Sequence, residues 1–243
     1  MNLLYSRRCL IGALASATLT HSAGYAANDV DTLSCNCSRD DFDAVYNTRT
    51  STSGNVEFDE AIIVELKNIR RVIPSINPGY QYVKANNSFT TSHSVIRNTK
   101  GTVWIGLELV NNLIDARKKD RTAGGTAVAG VLAHECAHIY QINSGIYDRM
   151  IKDRANPALV ELHADFIAGY YLAYKNGVRP EHLPMMQGIF VYLSTYDPKD
   201  PKYHGTPGLR AAALDAGYFV ARDKKRFVEA SEYGEKYVRN LVW

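Results

Sequence analysis

The sequence predicts a single α+β domain that contains a small, mostly antiparallel sheet and several helices. Three observations predict this fold class. Apolar residues recur at helical spacing between residues 58 and 72, and short runs of β-branched and aromatic residues lie between residues 79 and 106. Two long helical segments, at 126–141 and 157–175, begin and end at capping residues. A chain of 243 residues, 46% of them hydrophobic, is long enough for one such domain.

The first 26 residues predict an export signal, so we expect the mature protein to be periplasmic or secreted. Arg7 and Arg8 precede an apolar run, and small residues precede a cleavage point after Ala26. The order SRRCLI resembles a twin-arginine signal, with Leu10 in place of the usual aromatic residue; the ordinary secretory route is the alternative. An uncleaved membrane anchor is the weaker reading, because the apolar run is shorter than the roughly 18–20 residues that span a bilayer.

The net charge limits the classes of partner, and the cysteine content allows several disulfide pairings. Cleavage removes two arginines and no acidic residue, so the formal charge falls from +3 to +1, which argues against a nucleic-acid partner. We expect no stable membrane insertion after cleavage. Three cysteines remain in an oxidising compartment. Cys35 or Cys37 can pair with Cys136, or the first two can pair with each other, and the sequence does not choose between these pairings.

The remaining elements follow in order along the chain. Residues 27–55 are polar and rich in turn-forming residues, so we expect a poorly ordered N-terminal arm before a domain that spans 56–243. The helix at 58–72 stops before Pro74. The runs YQYVKA, SVIRN and GTVWIG predict the strands, and residues 107–119 have helical spacing. If the last strand, Val103–Gly106, lies at a sheet edge, it can bind an extended peptide by strand addition; Trp104 within it is otherwise a core residue.

The segment GVLAHECAHIYQIN, within the predicted helix 126–141, contains the motif H-E-x-x-H. His134 and His138 are about one helical turn apart, so both imidazoles project from one face and can share a tetrahedral Zn²⁺ ion at about 2.0–2.1 Å. Glu135 lies about 100° around the helix, where it can reach a metal-bound water and act as general base. Cys136 points to the opposite side, towards the core or a disulfide. The motif therefore predicts a metal-binding helix.

The second long helix carries the missing ligand. It begins with the cap Asn156. A catalytic zinc site with two histidines needs a third protein ligand, which Glu161 supplies, and Asp165 on the same face can accept a hydrogen bond from a ligand histidine. His163 is the competing ligand, but it lies on nearly the opposite face, so we expect a surface or core histidine. The predicted site has one zinc ion.

H-E-x-x-H followed by E-x-x-A-D resembles the glutamate-ligand zinc peptidases, or gluzincins, which include the HtpX heat-shock proteases, the CAAX prenyl proteases and soluble bacterial neutral zinc metallopeptidases. The resemblance covers about residues 100–220 and extends to GTVWIGLELV, to ELHADFIAGYYLA and to YHGTPGLRAA. It implies a zincin-like fold in which the metal-binding helix and the ligand-bearing helix are followed by C-terminal helices. The HtpX and CAAX enzymes cross the membrane several times and this chain does not, so their membrane substrates are not carried over.

The segment YHGTPGLR resembles the element H-P/G-x-x-x-x-R that closes the active site in those peptidases. The resemblance implies that His204 stabilises the tetrahedral oxyanion, with Tyr203 as the next candidate. The alternative is that His204 and Gly205 form a turn with a surface imidazole. Arg210 then orients a carboxylate through a bidentate pair, and Glu161 is the carboxylate we expect.

These features predict an exported zinc metalloendopeptidase that acts on peptide or protein substrates, with Glu135 as general base. Two alternatives remain open: a catalytically silent zinc-containing binding module, and a zinc hydrolase that acts on a non-peptide substrate. The N-terminal arm raises a further hypothesis, because a thiolate from Cys35 or Cys37 could occupy the open zinc position and keep the enzyme latent. A disulfide that ties down the arm is the simpler expectation.

Overall fold

A computed structural model describes residues 33–34, 39–115, 121–154, 156–192 and 203–241. The fold is α+β and mostly helical. Its helices are α1 (Arg39–Tyr46), α2 (Val56–Val72), α3 (Leu107–Asp115), α4 (Arg121–Asn143), α5 (Ile146–Arg154), α6 (Pro157–Tyr174), α7 (Leu183–Tyr192), α8 (Pro207–Arg222) and α9 (Phe227–Leu241). Within the described ranges no helix is both long enough and apolar enough to cross a membrane.

The sheet has four short strands: β1 (Leu33–Ser34), β2 (Gly79–Val83), β3 (Phe89–Thr91) and β4 (Thr102–Gly106). Their order across the sheet is β1-β3-β4-β2. β3 is antiparallel to both β1 and β4, whereas β2 and β4 are parallel over five residue pairs. The sheet is therefore mixed rather than mostly antiparallel, because β4 lies between the two strands that precede it in the chain.

The position of β4 decides the expectation about peptide binding by that strand. β4 is paired on both sides, so its backbone groups are already used and it cannot accept an added strand. Trp104 is a core residue: its ring stacks on Phe89, and its Nε1 donates to the Thr91 hydroxyl at 3.0 Å. The core reading of Trp104 is the one that the structure supports.

Two regions differ from the expected elements. Residues 94–98 form turns instead of a strand, because Ser94 Oγ donates to the Thr99 carbonyl oxygen and Asn98 takes a positive φ of 64°. The strand in this part of the chain is β3, which ends at Thr91, before the segment where a strand was predicted. At the N-terminus, β1 and α1 belong to the expected arm, and Thr50 bridges to Tyr82 of β2, so structured elements precede residue 56. The predicted signal segment and Cys35 and Cys37 lie outside the described residues.

α6 lies at the centre of the helical layer, and every residue from Ala158 to Leu172 is buried. Its start follows the sequence closely, because the Asn156 side chain accepts a hydrogen bond from the Ala158 N–H and Pro157 occupies the first turn. Two glycines let α6 and α8 touch along their backbones. A Cβ on Gly169 would lie 1.9 Å from the Leu214 carbonyl oxygen, and one on Gly217 would lie 1.8 Å from that of Phe166. This close approach places the first turn of α8 against α6.

Candidate metal centre

Three side chains that can ligate a metal ion meet between α4 and α6. One ligand atom each from His134, His138 and Glu161 lies within 4.8 Å of the other two. His134 Nε2 is 3.1 Å from His138 Nε2 and 3.3 Å from Glu161 Oε2, and His138 Nε2 is 3.5 Å from Glu161 Oε1. Atoms that bind a tetrahedral zinc ion at about 2.0–2.1 Å are themselves about 3.3 Å apart. The nearest atoms of the three predicted ligands are therefore about as far apart as such a site requires, and the group could bind one metal ion.

The side chain of Asp165 contacts His134 on the side away from the metal position. Asp165 Oδ1 lies 2.8 Å from His134 Nδ1, as expected for a carboxylate that orients a ligand histidine. Burial by itself lowers the pKa of His134, but hydrogen bonding to Asp165 and Glu161 outweighs burial and raises this pKa to about 9. With this pKa, a His134 ring that binds no metal carries protons on both nitrogens at neutral pH, so a metal ion would have to displace one of them.

Arg210 in the first turn of α8 forms the bidentate pair, but with a different carboxylate from the one expected. Its Nε and Nη2 donate to the two carboxylate oxygens of Asp165 at 2.7 and 2.8 Å. Burial by itself raises the pKa of Asp165, but the Arg210 guanidinium outweighs burial and holds this pKa below its ordinary value. The expectation that Arg210 orients Glu161 is wrong, because α8 crosses α6 beside Asp165. Arg210 is therefore linked to the predicted ligand His134 through Asp165.

His204 contacts the carboxylate ligand. Its Nδ1 lies 2.6 Å from Glu161 Oε2, and the side chain is buried. Burial by itself raises the pKa of Glu161, but the imidazoles of His204 and His138 outweigh burial and hold this pKa well below its ordinary value. Gly205 follows with a φ of +97°, and Thr206 caps α8, so the sequence HGTP forms the turn that directs His204 inward.

Glu135 faces a small cavity beside the ligands. The cavity, of about 20 Å³, is large enough for one water molecule. It is lined by Asn87, Val131, His134, Glu135, Phe190, His204 and Arg210. The hydroxyl of Thr90 on β3 lies 2.9 Å from Glu135 Oε2 and 3.0 Å from the Glu135 carbonyl oxygen, so the sheet holds this carboxylate in place. The described lining includes His204 but not Tyr203, which is half-buried.

His163 lies on the opposite side of α6 from the cluster and is a core histidine. Its Nδ1 is 3.1 Å from Gln141 Nε2, and its Nε2 is 3.0 Å from the Ser231 carbonyl oxygen. Burial lowers the pKa of His163 to about 4, so the ring is neutral. Both ring nitrogens are engaged away from the metal position. Cys136 is also buried, and it is a free thiol, so the suggested pairing of Cys136 with the arm is not made.

Three residues at the site were missed by reasoning from the sequence. Gln141 is three residues after His138, and this helical spacing was a usable signal. Thr90 and Phe190 carry no local signal, because strand pairing and helix packing bring them to the site from distant parts of the chain. Phe190 lies with its ring centroid 5.7 Å from that of His134, and the Arg210 guanidinium lies 5.0 Å from the Phe190 ring centroid.

Comparisons with known proteins agree with the peptidase reading of this geometry. No curated protein and no solved structure matches the chain. A family described as peptidase of plants and bacteria matches residues 45–189. The matched region contains His134, Glu135, His138 and Glu161, and it ends before His204 and Arg210. Because the match covers more than half of the 243 residues, this chain belongs to the family of peptidases of plants and bacteria.

Proposed function

We propose that this peptidase is an exported zinc-dependent endopeptidase of the glutamate-ligand class, in which His134, His138 and Glu161 hold one ion. The observation that carries the proposal is the convergence of three buried ligand atoms within 4.8 Å of one another, with Glu135 beside them on a cavity that can hold a water. Two imidazoles and one carboxylate with an open fourth position form a donor set suited to catalytic zinc. Zinc held there would lower the pKa of a bound water and polarise the scissile carbonyl.

The remaining roles in the proposed reaction belong to other residues around the site. Glu135 takes a proton from the attacking water and passes it to the leaving amine. The Thr90 hydroxyl fixes Glu135 Oε2, so Oε1 is the oxygen that carries the proton. His204, which lines the same cavity and contacts Glu161, is the proposed donor to the tetrahedral oxyanion. Asp165 and Arg210 keep His134 oriented.

The substrate is a peptide or protein. The cavity holds only about one water, so a peptide reaches Glu135 only when the lining side chains move aside. The Phe190 ring contacts the His134 ring at a tilt of 48°, and Phe190 is the largest apolar side chain of that lining. We therefore expect an unstructured chain, which can enter a narrow opening, to be cleaved faster than a folded protein.

Glu135→Gln tests the proposal. The variant should keep its zinc content and its thermal stability, because Glu135 is not a ligand. The rate of cleavage of an unstructured protein substrate should fall by about 10² to 10⁴. Glu108→Gln, on α3, is the matched control and should keep the wild-type rate. A Glu135→Gln variant that retains most of the activity would refute the assigned base, and zinc binding without cleavage by wild type would favour the binding module.

A further inference from the structure

The two ligand histidines are held by different kinds of partner. A histidine that binds a metal through Nε2 must carry its proton on Nδ1, and the partner of Nδ1 sets that tautomer. His134 faces the carboxylate of Asp165, which can only accept. His138 Nδ1 instead faces Gln141 Oε1 at 2.8 Å. An amide can turn either its oxygen or its nitrogen to a neighbour, so something must fix the orientation of Gln141.

Two main-chain carbonyls fix that orientation. Gln141 Nε2 lies 2.8 Å from the Val160 carbonyl oxygen, which can only accept, so the amide nitrogen must be on that side. The second amide proton points to His163 Nδ1 at 3.1 Å. His163 Nε2 lies 3.0 Å from the Ser231 carbonyl oxygen and must donate to it, which leaves His163 Nδ1 free to accept. One assignment of protons satisfies every contact in this chain of groups.

Solvent cannot replace these partners. The side chains of His138, Gln141 and His163 are all fully buried. If the Gln141 amide were flipped, its oxygen would face the Val160 carbonyl oxygen. Two buried acceptors would then face each other without a donor between them, which is unfavourable. The oxygen of Gln141 is therefore held towards His138 by groups on α6 and on α9.

We propose that Gln141 is a positioning residue that holds His138 in the Nδ1–H tautomer and aims its Nε2 at the metal, and that His163 and the Ser231 carbonyl lock Gln141. The inference rests on the proposed metal site. It also extends that site beyond the region matched by the family, which ends at residue 189, to α9. Gln141 touches neither substrate nor the reacting atoms.

The test compares Gln141→Met with wild type. Methionine has a similar shape, and its thioether sulfur is only a weak acceptor for the Nδ1 proton. In the metal-free variant, ¹⁵N NMR of the imidazole should show that the Nε2–H tautomer of His138 has become populated, whereas wild type shows Nδ1–H. Zinc affinity, measured by competition with a chelator, should fall about 10- to 100-fold. Gln187→Met is the matched control, since Gln187 donates to Asp215 rather than to a ligand, and it should change neither result.

Two further variants test the contributions of Ser231 and His163 separately. Ser231→Ala keeps the main-chain carbonyl and should leave the tautomer and the zinc affinity unchanged. His163→Phe removes one acceptor but leaves the Val160 carbonyl, so zinc affinity should fall less than in Gln141→Met. A larger loss of zinc affinity in His163→Phe than in Gln141→Met would contradict the inference that His163 acts on His138 through Gln141.

The tautomer result does not depend on zinc. If metal-free wild type carries its proton on His138 Nε2, or if Gln141→Met keeps both tautomer and affinity, the inference is wrong. If wild type shows the Nδ1–H tautomer but binds no zinc, the inference about Gln141 orientation stands and the proposed function fails. The wild-type spectrum tests the predicted tautomer of His138 even where a Gln141 variant does not fold.

Discussion

Arg210→Met should destabilise the metal-free protein strongly, because it leaves the Asp165 carboxylate buried without its guanidinium partner. Both side chains are almost completely inaccessible, and the change removes two hydrogen bonds to Asp165, at 2.7 and 2.8 Å, and one to the Phe190 carbonyl oxygen. Breaking a buried ion pair on one side destabilises by about 3–5 kcal/mol. Protonated His134 still faces Asp165, so we expect the lower end, about 3 kcal/mol, or a fall in Tm of about 6–12 °C.

Urea unfolding in the presence of a chelator measures this loss without any contribution from metal. Arg149→Met is the control, because the Arg149 side chain is 54% exposed and its pair with Glu235 is worth at most about 1 kcal/mol. The double variant Arg210→Met/Asp165→Leu should recover much of the stability, since it removes the buried charge as well. If Arg210→Met cost no more than Arg149→Met, the buried pair would not be the link that holds α8 to α6.

Two other predictions concern the ligands. Glu161→Ala should lose zinc, whereas His163→Ala should keep most of it, and a titration in which the two results were exchanged would reverse the ligand assignment. Zinc affinity should rise with pH, because His134, with a pKa of about 9, holds a proton that zinc must displace at pH 7. Chelator competition, corrected for the chelator's own protonation, should show about a tenfold gain per pH unit up to about pH 9; an affinity that does not change over this range would contradict the proton on His134.

The local parts of the site could be predicted from the sequence, and the parts set by long-range packing could not. Histidines four apart on a helix must share a face, and Asn156 with Pro157 marks a helix start, so the ligand face of α4 and the start of α6 follow from local sequence signals. The start of α4 was predicted wrongly: the helix begins at Arg121, five residues before the expected cap at residue 126. The partner of Arg210 did not follow, because Glu161 and Asp165 are four apart on one face of α6 and either could receive it. The choice depends on how α8 crosses α6 at Gly169 and Gly217.

The strand order of the sheet was harder to predict than the helices. The sequence of a short strand indicates that it pairs, but it does not indicate which strand it pairs with. The position of β4 between β3 and β2 removes the edge that peptide binding by β4 would need. The same arrangement puts Thr90 of β3 against Glu135. No periodicity in the sequence predicts a contact between residues 45 positions apart, so the partner of Glu135, the proposed general base, could be found only in the structure.

The raised pKa of His134 also bears on how the proposed site would take up an ion. Two unprotonated imidazole nitrogens 3.1 Å apart would point lone pairs at each other. With a proton on His134 Nε2, that nitrogen can donate to His138 Nε2 or to Glu161 Oε2, the two atoms nearest to it. Such a proton removes the repulsion between the two lone pairs, while Asp165 and Gln141 contact the far sides of the two rings. A zinc ion bound there as proposed would displace that proton, which is why we expect its affinity to rise with pH.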